Sequence, residues 1–255
     1  MRAIAVINQK GGVGKTTTTA NLAHALALTG QRVIAIDLDP QSHLAAHLGV
    51  FERGQAGIDE LMLGRVSAAE VNIIDARDNL KLIPAGADLG LVERNTSDGL
   101  IGQRLRALVQ SYKENCDFLL IDCPPASGLL IDYTLTAVDE TIVPVASDYL
   151  ALRGLSDLIA TLRTFEEEHD VAAFNQWVVV TRFHKRRRLS WEVRDTLISY
   201  FPDRVLETAI RETSVLAECP GFGKTAFEYK RGNHGATDYG ALAHNLLNGE
   251  YAHEG

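Results

Sequence analysis

The chain has 255 residues, of which 46% are hydrophobic and 23% charged, and a formal net charge of −8. That length accommodates one large α/β domain spanning residues 1–255, and the composition is that of a soluble globular protein. No apolar run reaches the ~18 residues of a membrane span, and the acidic balance argues against a uniform nucleic-acid-coating surface.

Apolar runs and helical patterns alternate along the chain. Ala3–Ile7 reads as a first strand, too close to the following loop to be a removable signal peptide. Thr16–Leu28 reads as a helix ended by Gly30. Arg32–Ile36 is a second strand, and His43–Leu48 a short helix. Gly49–Asp78 is mixed, with a helix around Ile58–Leu63. Leu80–Pro84 is a strand, Leu100–Lys113 an amphipathic helix, and Asp117–Ile121 a strand. The pattern continues with a helix over Leu129–Ala137, a strand over Glu140–Val145 and a helix over Leu155–His169. Gln176–Thr181 is a strand, Trp191–Tyr200 a helix, Val205–Ile210 a last strand and Thr237–Leu247 a terminal helix. Such alternation predicts a doubly wound, mostly parallel sheet with helices on both faces. Continuous β-branched runs such as Trp177–Val180 suit strands buried on both sides.

The segment Lys10-Gly11-Gly12-Val13-Gly14-Lys15-Thr16-Thr17 lies between the first strand and the first helix. Strand, glycine-rich turn, Lys-Thr and helix form a phosphate-binding loop. Backbone N–H groups and the helix N-terminus offer positive partial charge to an anionic nucleotide tail. Lys15 is expected to reach the β- and γ-phosphates, and the Thr16 hydroxyl to ligate Mg²⁺. Ligands of such sheets sit beyond the carboxyl ends of the strands, where Asp37, Asp39 and Asp122 fall. Helix capping is the ordinary role of one such aspartate; three of them beside a phosphate loop point to metal and water chemistry. Asp122 follows Phe118–Ile121 in the manner of a Walker B element and precedes Pro124-Pro125, which hold the backbone extended. The three cysteines, Cys116, Cys123 and Cys219, lack metal-ligand spacing and read as reduced thiols of a cytosolic protein.

The loop departs from the common G-x-x-x-x-G-K-[ST] form: Gln9 stands at the first glycine, and Lys10 adds a second lysine. This pattern resembles the deviant Walker A motif of the ParA/MinD ATPases. The resemblance continues in Asp37-Leu38-Asp39-Pro40-Gln41, in Asp122-Cys123-Pro124-Pro125, and in Tyr149-Leu150-Ala151-Leu152-Arg153-Gly154. It also covers Thr181 with Leu189-Ser190 and Val193, and Glu218-Cys219-Pro220. It implies ATP and Mg²⁺ as cofactors and a homodimer in which Lys10 touches the partner's phosphates. Asp39 is then placed near the attacking water, and Asp37 and Asp122 in the metal network, with the division between Asp37 and Asp39 left open. Thr181 and Pro220 are the implied adenine-side residues.

The run Lys185-Arg186-Arg187-Arg188 is the densest charge cluster; from Arg182 to Arg231 the chain carries a net +4, against −12 elsewhere. A solvated loop is the ordinary reading of such a run. The family resemblance adds sequence-blind binding of nucleoid DNA here, extended by Arg211, Lys230 and Arg231, with Lys224 a further candidate. It also implies a ParB-like or cargo-adaptor protein that stimulates hydrolysis, with a chromosome or plasmid partition complex, a carboxysome or a chemotaxis cluster as cargo. The first strand opens the sequence, so a helix-turn-helix domain for operator binding is not expected. The tail Leu246–Gly255 has no lysine or arginine, so a MinD-type membrane anchor is not expected. An ATP-dependent enzyme that activates a small molecule is the alternative of a different class.

Overall fold

The computed structural model describes residues 1–50, 56–94, 99–125, 128–148, 160, 164 and 175–253. Strands β1 (Arg2–Val6), β2 (Val33–Asp37), β3 (Ile74–Arg77), β4 (Leu80–Ile83), β5 (Phe118–Asp122), β6 (Glu140–Ala146) and β7 (Asn175–Thr181) form one sheet in the order β3-β4-β2-β5-β1-β6-β7. All pairings are parallel except β3 with β4. The first crossover is α1 (Lys15–Leu28); α2 (His43–His47), α3 (Ile58–Met62), α4 (Leu89–Arg94), α5 (Ile101–Ser111) and α6 (Leu129–Leu135) follow. After β7 come α7 (Arg188–Tyr200), α8 (Ser214–Glu218), α9 (Ala226–Tyr229) and α10 (His234–Asn248).

Alternation along β5 shows how the sheet holds two cores. Leu119 and Ile121 join an apolar layer with Ile101, Leu105 and Leu130, while Phe118 and Leu120 join the opposite layer with Leu22, Leu26 and Leu242. Successive strand residues point to opposite faces, so a strand covered on both sides must be apolar throughout. Helix α1 is buried along almost its whole length because the sheet lies on one side and α10 on the other. Hydrogen bonds fix it there: Thr18 Oγ1 lies 3.1 Å from the Tyr239 hydroxyl, and Asn21 Oδ1 accepts from Ala226 N–H at 2.8 Å.

Four differences from the sequence expectations have physical causes. The mixed segment contains β3, an antiparallel edge strand whose half-exposed side chains carry no continuous apolar run. The expected strand over Val205–Ile210 forms only isolated bridges. Leu206 N–H bonds Val178 O and Ile210 N–H bonds Val180 O, so four residues advance where β7 advances two, and Glu207–Ala209 bulge from the ladder. The helix expected from Trp191 begins three residues earlier, at Arg188, which absorbs the end of the basic run. The short helices α4, α8 and α9 were not expected; each is under two turns, too short to show a helical period. The expected helix Leu155–His169 and the stretch Tyr149–Gly154 fall outside the described residues, apart from positions 160 and 164.

Candidate functional site

The parallel order places the carboxyl ends of β1, β2 and β5 side by side, and the cross-strand register sets Asp37 directly opposite Asp122. The loop after β1 wraps into α1 with Gly12 at φ 73° and Gly14 at φ 94°. These left-handed conformations suit a residue without a Cβ and let the backbone close around an anion. A cleft of about 760 Å³ opens there, lined by the loop from Gly11 to Thr17 together with Asp39, Pro125 and Thr181. That volume is in the range of small-ligand and cofactor sites.

Lys15 is 7% exposed and donates from Nζ to Asn8 O at 2.9 Å and Lys10 O at 3.2 Å. Burial pulls its pKa below the ordinary lysine value, and the Asp122 carboxylate opposes that shift. The ammonium therefore sits in a polar but sparsely hydrated cradle, where a bound phosphate would be strongly attracted. Lys10 behaves differently. Its amine turns away to Asp148, at 2.8 and 3.1 Å, and both side chains are partly open to solvent.

The three aspartates divide by environment. Asp122 is fully buried, and Thr19 donates to its Oδ1 at 3.1 Å. Its Oδ2 is buried without any hydrogen-bond partner. Burial pushes this carboxyl up to about 7, with Asp39 adding repulsion and the threonine hydroxyls opposing it. An orphaned oxygen beside a hydroxyl, next to a phosphate cradle, fits Mg²⁺, which binds few protein ligands and fills its octahedron with water and phosphate oxygens.

Asp37 ends β2 opposite Asp122. It is fully buried and its two oxygens accept from Asp39 N–H at 3.0 Å and Leu44 N–H at 3.1 Å. Both oxygens thus help to set the turn and the start of α2, and each keeps a second lone pair. Burial and the facing Asp122 hold its carboxyl well above the usual range. Asp39 does line the cleft; its Oδ1 accepts from Gln41 N–H at 2.9 Å, and nothing among the described residues donates to the other oxygen.

On the far side of the cleft, Thr181 donates to Val13 O at 2.8 Å, which ties β7 to the loop. Pro220 stands just past α8. It lies in the short 3₁₀ turn Cys219–Phe222, a few residues after Leu216 and Ala217, which line the cleft. Arg211, expected in the basic patch, also lines the cleft, where Asp238 holds its backbone N–H and its guanidinium. Sequence reasoning missed Arg182, Leu216, Ala217 and Tyr239 as lining residues; only the position of Arg182, directly after Thr181, carried a signal. The three cysteines are buried and free, and burial pushes their thiols up, as suits packed and unreactive groups.

The basic run is not a uniform patch. Arg187 pairs with Glu212 at 3.7 Å and Arg188 with Glu192 at 2.6 Å. Lys185 and Arg186 have no ion-pair partner among the described residues, and Lys185 O accepts from the Trp191 indole at 2.9 Å. Lys230 and Arg231 are exposed at the end of α9.

A sequence model of the AAA domain matches residues 1–174. The sporulation initiation inhibitor protein Soj of Bacillus subtilis is 36% identical over 249 residues, covering 94% of this chain and 96% of that one. Cobyrinic acid a,c-diamide synthase from Mycobacterium smegmatis, solved with an ATP analog and magnesium, superposes with a TM-score of 0.80. It is 28% identical and covers 97% of this chain and 95% of its own. McdA from Cyanothece shares the fold at a TM-score of 0.83 and 22% identity, covering 98% of this chain and 99% of that one. With a deviant phosphate loop, a strand-end Asp122 at its base and matches along nearly its full length, the chain belongs to the ParA/MinD family of ATPases.

Proposed function

We propose that this ATPase is a nucleotide-operated dimer that holds nonspecific DNA in its ATP state and positions a cargo until a partner protein stimulates hydrolysis. The observation that carries the reading is the contrast between the two loop lysines. Lys15 is buried in its own cleft, whereas the Lys10 amine stands at the rim, held by Asp148 alone among the described residues. A cation there is free to exchange a partly solvated carboxylate for a phosphate of a second copy. Thr16 and Asp122 would hold Mg²⁺, which would offset charge on the phosphates. Lys15 and the loop amides stabilise the charge that moves onto the β–γ bridge. Asp39 orients the attacking water through its open oxygen. Lys185 and Arg186 supply the cations free to meet DNA phosphates, and the cargo is a partition complex or a protein assembly.

Light scattering with Mg²⁺ and a slowly hydrolysed ATP analog tests the dimer. The expected result is an ATP-dependent doubling of mass that Lys10→Ala removes without removing nucleotide binding. A nucleotide-saturated monomer, indifferent to Lys10→Ala, would replace this reading. The similarity to a cobyrinic acid amidating enzyme favours the replacement: an ATP-dependent enzyme acting on a small molecule. Turnover that depends on such a substrate, and is unaffected by DNA or protein concentration, marks that case.

A further inference from the structure

We infer that Arg182 is a nucleotide-positioning residue whose guanidinium binds the outer phosphate oxygens that the loop amides do not reach. The inference rests on the nucleotide reading of the cleft and extends it to a residue outside the loop, the aspartates and the adenine rim.

The first observation is conformational. Arg182 has φ 49°, in the left-handed region that disfavours any residue with a Cβ. Glycine or asparagine would occupy this turn more cheaply. The conformation is held from several sides. Ser147 Oγ donates to Arg182 O at 2.8 Å and lies 3.0 Å from Ser190 Oγ. Thr181 is bonded to Val13 O, and Phe183 N–H to Ile210 O at 2.9 Å. Strain kept in place by its surroundings is the pattern of a functional position.

The second observation is where the side chain goes. Arg182 lines the cleft, and a Cβ built on Gly12 would stand 3.7 Å from its Nη2. The guanidinium therefore lies against the phosphate loop, not against the apolar rim of Leu216 and Ala217. The third is charge. Arg211, the other guanidinium in the cleft, is neutralised by Asp238. No carboxylate pairs with Arg182 among the described residues, although it carries a fork of donors suited to a phosphate. A left-handed arginine, stapled in place and lying against the phosphate loop with no carboxylate partner among the described residues, is placed to clamp the polyphosphate.

Arg182→Gly provides the test, because glycine keeps the backbone conformation while removing the cation. Binding of an ATP analog with Mg²⁺ is measured for the full chain, together with competition by inorganic tripolyphosphate. Wild type, Arg182→Lys and Lys15→Ala are run beside it. Arg182→Gly should weaken the analog and tripolyphosphate by the same factor, about tenfold, while its thermal midpoint without nucleotide stays equal or rises. Arg182→Lys should fall between, since it keeps the charge and loses the fork. Unchanged affinity for both ligands in Arg182→Gly overturns the inference and leaves the residue a backbone turn only. Loss for the analog alone, with tripolyphosphate unaffected, overturns it in favour of a base contact. Failure of the wild type to bind either ligand refutes the cleft reading itself, a result separate from both.

Discussion

The carboxyl ends of β1, β2 and β5 and the basic edge after β7 both gather charge, but in opposite ways. At the strand ends Lys15, Asp37 and Asp122 are buried, and their positions are fixed by backbone ladders and short hydrogen bonds. At the edge the cations are exposed, and two of four are compensated by glutamates. Buried charge in a low-dielectric surrounding acts strongly over short distances and tolerates little change. Exposed charge acts weakly per residue, sums over many contacts and is screened by salt. A chemical step belongs in the first setting, and a reversible, sequence-blind grip in the second.

The comparison breaks most visibly at Asp39. Its open oxygen faces the cleft, while its backbone and other oxygen are held by Asp37 and Gln41. Asp39→Ala should lower kcat by about 100- to 10,000-fold, the range of a lost general base or water-orienting group. Analog affinity should stay within a few fold, because the phosphate loop is untouched. Steady-state hydrolysis with parallel binding measurements checks this. An equal loss of affinity would assign Asp39 to ground-state binding instead.

At the basic edge the expected effects are smaller and graded. If DNA phosphates bind here, Lys185→Ala with Arg186→Ala should flatten the salt dependence of DNA affinity. The log–log slope should shrink by about 0.9 for each phosphate that is no longer neutralised. Arg187→Ala with Arg188→Ala should flatten it less, since their charges already rest on Glu212 and Glu192. Affinity measured across a salt series distinguishes the two pairs. Equal slopes would mean that the glutamates let go on binding and that the edge works as one surface.

Strands, crossover helix and phosphate loop were legible because each rests on a local pattern. β5 reads as buried on both faces from Phe118 to Ile121, and the loop reads from its glycines and Lys15. What was not legible depends on who the partner is. Asp37 and Asp122 look alike in sequence, both ending apolar strands. Only the fold shows that the oxygens of one close the turn into α2 while an oxygen of the other is left bare. Arg211 reads as one more surface cation in sequence, and only the fold brings Asp238, 27 residues later, to hold it. Arg182 gave no sign of its left-handed backbone, because that conformation follows from Ser147 and Ile210, both distant in the chain.

The smallest expected effect lies behind the loop, in α1. His24 is 6% exposed; its Nδ1 lies 2.6 Å from Thr225 Oγ1 and its ring meets Phe227 edge-on. Burial holds its pKa below the ordinary histidine value; Glu228 opposes this and Arg77 reinforces it. Arg77 pairs with Glu228 at 2.9 Å, which leaves little net negative charge to stabilise an imidazolium. The folded state therefore binds the proton less tightly than the unfolded chain. The stabilising contribution is complete above the unfolded value of about 6.5 and is lost as the pH falls below it, by at most about 1.4 kcal/mol per pH unit for one group. His24→Gln keeps a hydrogen-bonding side chain and removes the titration. Thermal midpoints from pH 7.5 to 5.0 should fall more steeply for the wild type than for His24→Gln. Parallel acid limbs would show that the α1–α9 contact yields and hydrates the ring before the proton arrives, which would group this buried corner with the pliable edge and not with the rigid strand ends.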